Sequence, residues 1–198
     1  MVEAIAVAAG FNAEGGTVNF HFTTRASHSA IHGALQLVRR GKPPSTGFFL
    51  RAESFFNLAT NIEELDRDPG GGPSIVSSYG GRSLHEQSHG ESFLALLQNR
   101  FGPRGLYILD EPEAASSPRR QLAVLALIHR LIEQESQFII ATHSPILLSL
   151  PGALIYELSE QGIRPVTYED TDPFQITKRF LEDPSTFLQM LLGSSAKP

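Results

Sequence analysis

The chain has 198 residues, a formal net charge of −5, 41% hydrophobic and 19% charged residues, and no cysteine. This composition predicts a single soluble globular domain, residues 1–198, with a substantial core. The lack of cysteine excludes a disulfide framework, a thiolate metal site and a cysteine nucleophile. The acidic balance gives no general reason for nucleic-acid binding. No apolar run approaches the about 18 residues of a membrane span, and no secretory signal opens the chain, so we expect a cytoplasmic protein without membrane insertion.

The first part of the chain predicts short, mixed elements. An alanine-rich helix at 2–9 ends at Gly10. Beyond it the pattern predicts a half-buried strand, a weak helix, a buried strand and a further helix, at 17–22, 27–40, 47–51 and 54–65. A glycine- and proline-rich loop follows at 68–73. Residues 17–82 are therefore predicted to form a β and helical subdomain.

Residues 83–198 alternate between helices and apolar strands. Helices are predicted at 92–99 and 119–135, strands at 106–110 and 138–142, a closing hairpin at 153–158 and 163–167, and terminal helices at 172–182 and 184–192. Apolar strands without alternation, separated by helices, are typical of a parallel sheet covered on both faces. The predicted fold class is α/β, a mostly parallel sheet flanked by helices, with a small antiparallel and helical insertion.

Two adjacent carboxylates, Asp110 and Glu111, follow the apolar strand in the run Leu-Tyr-Ile-Leu-Asp-Glu-Pro at 106–112. Ligands of open α/β sheets bind at the carboxyl ends of the strands. Asp110 could there hold magnesium directly or through a water, and Glu111 could orient an attacking water. The alternative is an acidic turn after a core strand. The rarity of Asp-Glu-Pro favours the functional interpretation.

Two weaker signals accompany the carboxylates. His143 lies in Ala-Thr-His-Ser-Pro, directly after the next apolar strand, where it could donate to a phosphate oxygen or serve only as a structural histidine. Ser88 and Gly90 lie in Gln-Ser-His-Gly-Glu, before the helix expected to begin near Ser92. A helix start of this kind can bind an anion, or the serine can simply cap the helix.

The order of these motifs resembles that of ABC-type ATPases. Residues 87–91, 106–112, 114–118 and 142–143 resemble, in turn, the signature motif, the Walker B strand, the D-loop and the H-loop. The Glu-Pro-Glu-Ala and Thr-His-Ser-Pro forms are more similar to stand-alone predicted AAA/ABC ATPases of the SMC and repair branch than to transporter subunits. The resemblance covers residues 83–158 well and implies a P-loop NTPase fold with ATP and magnesium as cofactors.

The resemblance also implies a role for each candidate residue. Asp110 would support magnesium, Glu111 would be the general base or the water-orienting residue, and His143 would sense the γ-phosphate. Ser88 and Gly90 would contact a nucleotide held by a second subunit, so that ATP would be hydrolysed across a homodimer interface. What this hydrolysis drives stays open: nucleic acid, a nuclease and another effector protein are all compatible partners.

The chain departs from the family pattern at several positions. His89 and Glu91 replace the usual glycine and glutamine of the signature, and Glu91 would repel phosphate unless its side chain points away. Ser116 and Ser117 stand in the D-loop region, where transporters usually carry aspartate. The place of the glutamine loop lacks its glutamine, for which Arg51 or Glu53 could substitute.

The phosphate loop, Gly-x4-Gly-Lys-Ser/Thr, does not occur in the sequence. Residues 1–5, Met-Val-Glu-Ala-Ile, resemble the start of the helix that follows this loop in the family. The resemblance therefore implies an ATPase domain truncated before its phosphate loop, so that the chain itself is expected to be weakly active or inactive. Two rivals remain, namely a non-catalytic interaction module that keeps the fold and the energising subunit of a transporter.

We predict that the genomic DNA directly upstream of the Met1 codon encodes an in-frame Gly-x4-Gly-Lys-Ser/Thr. Sequencing that region checks the prediction. A stop codon immediately before Met1 would instead favour a degenerate protein that retains the fold without tight nucleotide binding.

Overall fold

A computed structural model describes residues 1–17, 30–52, 60, 89–114 and 116–193. The chain divides into two compact units, Met1–Thr142 and His143–Pro198. The predicted single domain over 1–198, with its subdomain at 17–82 and its core at 83–198, stays a prediction.

The first unit is built on a parallel sheet of three strands, β1 (Thr46–Arg51), β2 (Gly105–Asp110) and β3 (Gln137–Ala141), in the order β1-β2-β3. The three predicted apolar strands are confirmed to within one residue at each end. On the outer edge of β1, the backbone of Gly16 exchanges two hydrogen bonds with Phe49, of 2.8 and 2.9 Å. Strand β2 is the centre of the described sheet, which agrees with the full burial of Tyr107, Ile108 and Leu109.

Helices complete the first unit: α1 (Val2–Ala8), a 3-10 turn (Ala30–Ala34), α2 (His89–Arg100) and α3 (Pro118–Glu133). Helix α1 lies on β2 and β3, and its Ala6 packs with Phe11, Phe49 and Ile108 in one buried cluster. Helix α3 contacts both α2 and β3 through a stripe of buried residues, Val124, Leu127, Ile128 and Leu131. This spacing at i, i+3, i+4 and i+7 is the apolar face that the sequence predicts for an amphipathic helix.

An aromatic cluster holds the start of β2. Tyr107 is fully buried, and its ring stacks on that of Phe101 at a centroid distance of 4.0 Å. The Tyr107 hydroxyl donates to the Gly102 carbonyl oxygen at 2.9 Å and accepts from the Gly102 backbone N–H at 2.6 Å. Burial raises the pKa of the Tyr107 phenol above its ordinary value. Both polar functions of this buried hydroxyl are therefore satisfied within one short turn.

The second unit contains α4 (Pro145–Leu148), an antiparallel hairpin of β4 (Ile155–Ser159) and β5 (Gly162–Val166), a 3-10 turn (Tyr168–Asp170), α5 (Asp172–Glu182) and α6 (Pro184–Leu192). The predicted hairpin and both terminal helices are confirmed. Asp183 starts α6 by accepting from the Thr186 backbone N–H at 3.0 Å. Side-chain and backbone hydrogen bonds from Thr186, with a further bond from Ser185, lower the pKa of the Asp183 carboxyl to about 2.

Three expectations differ from the structure or fall outside it. Of residues 27–40, the described part forms only the 3-10 turn at Ala30–Ala34, since Gly33 lies within it and the prolines at 43 and 44 follow closely. Helix α2 begins at His89, three residues before the expected start at Ser92. Of the strand predicted at 17–22 and the helix predicted at 54–65, residues 18–22, 54–59 and 61–65 lie outside the described residues, as does the loop at 68–73, and Thr60 is helical.

None of the helices in the described ranges is both long and apolar enough to cross a membrane.

We predict that Gly105→Ala lowers the free energy of unfolding by about 1–3 kcal/mol, because a Cβ at this position would overlap with the ring and hydroxyl of Tyr107. Gly102→Ala is the matched control, since a Cβ at Gly102 would meet no atom within 4 Å. Urea unfolding of both variants measures the difference. Equal stabilities would show that the turn before β2 is not tightly packed.

Candidate functional site

The candidate site lies where the three parallel strands of the first unit end. Arg51, Asp110 and Ala141 are register partners and form the last residues of β1, β2 and β3. Beyond the strands, the Ala52 backbone N–H donates to the Asp110 carbonyl oxygen at 3.2 Å, and that of Glu111 donates to the Ala141 carbonyl oxygen at 2.9 Å. The backbone on both sides of Asp110 is therefore held by the neighbouring strands.

The Asp110 carboxylate faces a cation of the protein itself. The Arg51 Nε lies 3.5 Å from Asp110 Oδ2, and Arg51 Nη1 lies 3.0 Å from Glu3 Oε2. The exposed fractions of these side chains, 28% for Asp110 and 22% for both others, place them at a partly covered rim. One arginine thus links the ends of two strands to the first turn of α1.

Glu111 follows with an unusual backbone conformation. Its φ is 51°, in the left-handed region that residues with a Cβ rarely adopt. Its carbonyl oxygen accepts from the Ala114 backbone N–H at 3.0 Å, which closes a tight turn. Glu111 is exposed, whereas the Asp110 side chain is partly covered. Two adjacent acids therefore occupy different environments, as the interpretation of two separate roles requires.

A hydrogen bond that the sequence does not predict joins the segments after β2 and β3. The Thr142 hydroxyl donates to Glu113 Oε2 at 2.7 Å, and both residues are half-buried. Glu113 belongs to the Glu-Pro-Glu run and Thr142 to the Thr-His run. The sequence feature that could have predicted this bond is an acid after one apolar strand and a hydroxyl after the next. The ends of neighbouring parallel strands lie at the same edge of a sheet.

His143, the second predicted catalytic residue, is the first residue of the second unit and has an exposed side chain. The Ser-Pro that follows it has a local explanation. Ser144 Oγ accepts from the backbone N–H groups of Ile146 and Leu147 at 3.1 and 3.2 Å, and Pro145 occupies the first turn of α4. The role of His143 at a phosphate stays a prediction.

The signature segment lies at the start of α2. Ser88 is outside the described residues, and Gly90 lies within the first turn of the helix rather than before it. The backbone N–H groups of a helix's first turn have no acceptor inside the helix and can bind an anion. Arg120 Nη2 lies 3.2 Å from Glu91 Oε1, so a cation neutralises the acid that would otherwise repel phosphate.

The two serines of the D-loop region have different surroundings. Ser117 is the N-cap of α3, with its Oγ 3.4 Å from the Arg120 backbone nitrogen and Pro118 in the first turn. Ser116 Oγ is buried and has no hydrogen-bond partner within the described part of the chain. A buried hydroxyl without a partner is uncommon. Of the possible glutamine substitutes, Arg51 lies at the site, and Glu53 is outside the described residues.

The donor chemistry of this edge fits magnesium, which prefers carboxylate oxygens and usually keeps several waters. The guanidinium of Arg51 beside Asp110 Oδ2 marks a position that accommodates positive charge. Among the residues that the structure describes, no three histidine, aspartate or glutamate side chains gather into a group that could hold a metal ion. A cation at Asp110 would therefore need further ligands from phosphate or water.

No protein-family model matches the sequence, and no curated protein matches it. A solved structure with partial, distant similarity to the chain is the SMC head domain from Thermotoga maritima, with 17% sequence identity and a TM-score of 0.38. The similarity covers 60% of this chain and 53% of that chain, so the chain spans about half the length of the matched domain.

We predict that Glu111→Gly is more stable than Glu111→Ala by about 1 kcal/mol, because glycine alone avoids the steric cost of a left-handed φ. Chemical denaturation of both variants measures this difference, and Glu111→Gln is the control that retains the Cβ and the side-chain length. Equal stability of the glycine and alanine variants would contradict a strained turn at Glu111.

Proposed function

We propose that the chain forms part of a magnesium-dependent ATP-hydrolysing domain of the ABC type, with Asp110 and Glu111 as its central acidic residues. One observation carries this proposal: adjacent carboxylates leave the central strand of a parallel sheet at its carboxyl end, one facing a cation and the other exposed in a strained turn. Strained backbone at a strand end is a feature of functional sites.

Asp110 is proposed to hold magnesium. Its carbonyl oxygen accepts from the Ala52 backbone N–H after β1, and the next residue, Glu111, donates to the Ala141 carbonyl oxygen at the end of β3, so the Asp110 carboxylate enters the site from a defined position. Bound magnesium would neutralise charge on the phosphate groups of ATP during transfer to water. The remaining ligands would come from the phosphates and from water.

Glu111 is proposed to orient and deprotonate the attacking water. Its left-handed φ turns the chain away from the line of β2 immediately after Asp110. The hydrogen bond from its N–H to Ala141 anchors that turn to β3. The Glu113–Thr142 hydrogen bond ties the same turn to the residue after β3.

His143 is proposed to sense the γ-phosphate, and Ser88 and Gly90 to contact the nucleotide of a second subunit. The pairing of Glu91 with Arg120 supports the last role, because it removes a net negative charge from the start of α2. A homodimer would then complete each site. We propose ATP and magnesium as the ligands and the cytoplasm as the location.

We predict that this chain alone hydrolyses ATP at no more than a background rate, because it lacks the lysine and backbone donors of a phosphate loop. A phosphate-release assay with Glu111→Gln as the matched variant checks this. If the chain hydrolysed ATP and Glu111→Gln abolished this activity, the phosphate loop would not be needed for hydrolysis. The same result would support the role of Glu111.

The ATPase itself is tested on a chain extended upstream to include the expected phosphate loop. Magnesium and ATP should convert that chain from monomer to dimer in sedimentation experiments. Glu111→Gln should retain this dimerisation and lower kcat by about 10²-fold or more, as removal of a general base does. Equal dimerisation with and without ATP would instead favour a non-catalytic interaction module.

A further inference from the structure

Arg51 lies beside acidic residues of two different elements. Its Nε faces Asp110 at the end of β2, and its Nη1 faces Glu3 in the first turn of α1. Arg51 and Asp110 are also direct neighbours in the register of the sheet. The guanidinium therefore lies on the carboxylate that the proposed function assigns to magnesium.

We propose that Arg51 is a positioning residue that holds Asp110 when no cation is bound, and that a divalent cation displaces it from Asp110 while its contact with Glu3 remains. This inference rests on the proposed function, since it requires Asp110 to be the cation ligand. Arginine stays protonated at every physiological pH, so its contact with Asp110 ends by movement and not by titration.

The distances favour Glu3 as the residue that retains Arg51. The contact to Glu3, at 3.0 Å, is within hydrogen-bonding distance, whereas that to Asp110, at 3.5 Å, is longer. The two contacts use different nitrogen atoms of the guanidinium. Loss of the Asp110 contact therefore leaves the Glu3 contact in place, and a cation can approach Asp110 without leaving Arg51 unpaired.

The surroundings make this competition measurable. All three side chains are more than two-thirds covered, so solvent screens their interactions less than it screens those of a fully exposed pair. A bound cation and the Arg51 guanidinium would repel each other if both remained on Asp110. Removal of Arg51 should accordingly strengthen cation binding. If Arg51 instead helped to build the cation site, its removal would weaken cation binding.

The experiment measures Mn²⁺ binding to the chain itself by the paramagnetic broadening of the backbone amide signals of Ala52 and Glu111. Arg51→Gln should tighten this binding by about two- to fivefold, the factor that a partly exposed ion pair supplies. Arg51→Lys, which keeps the charge, should bind Mn²⁺ more weakly than Arg51→Gln. Glu3→Gln should weaken binding, because it removes the acid beside which Arg51 stays when a cation takes its place at Asp110.

Two controls separate the inference from its premise. Arg130→Gln removes the same charge from an exposed position on α3 and should leave Mn²⁺ binding unchanged. Asp110→Asn should abolish the broadening. If broadening depends on Asp110 but Arg51→Gln does not tighten it, the role of Arg51 is refuted and the metal role of Asp110 stands. If Asp110→Asn has no effect, the proposed metal site itself is refuted.

A second measurement covers the case in which Arg51→Gln does not fold. In the wild-type chain, Mg²⁺ should shift the Arg51 Nε–Hε signal and slow hydrogen exchange in α1, because the Arg51–Glu3 pair then holds the helix start more firmly. An Arg51 signal that stays constant while the Glu111 amide reports cation binding would overturn the displacement.

Discussion

The central constraint of the structure is the pairing of β2 with parallel strands on both sides. The register places the ends of β1, β2 and β3 at one level. Beyond these ends, Ala52 donates a backbone hydrogen bond to Asp110, and Glu111 donates one to Ala141. A strand held in this way leaves little freedom to the first residues that follow it. The positions of Asp110 and Glu111 are therefore consequences of the sheet, and not of the turn alone.

Several acidic side chains of the first unit lie beside a cation or a hydroxyl donor. Glu3 and Asp110 share Arg51, Glu113 accepts from Thr142, and Glu91 pairs with Arg120. Carboxylates that gather without counter-charges or donors would repel each other and lose solvation at the same time. A cation bound at Asp110 would have to replace Arg51 as the positive charge beside this carboxylate. The Glu113–Thr142 and Glu91–Arg120 pairs face no such competition in the proposed mechanism.

Some helices and strands could be predicted from the sequence more easily than others. Strands β1, β2 and β3 were predictable because their uninterrupted apolar runs, Phe-Phe-Leu, Leu-Tyr-Ile-Leu and Phe-Ile-Ile-Ala, suit a sheet buried on both faces. Helices α5 and α6 were predictable because proline and an acid mark each start. The short helix α4 was missed, since its four residues show no periodicity, although Ser144 and Pro145 form a recognisable helix start.

The sequence by itself determined the order of strands and helices, the two acids after β2 and the histidine after β3. Hydrophobic periodicity and the residues that begin or end helices and strands are local properties of the chain. Only the tertiary structure decided that Arg51 faces Asp110, that Thr142 bonds to Glu113, and that Arg120 neutralises Glu91. These partners are distant in sequence, and each becomes a neighbour only through strand register or helix packing. The left-handed φ of Glu111 belongs to the same class, since the bond to Ala141 on the next strand holds a conformation that the residue would otherwise rarely adopt.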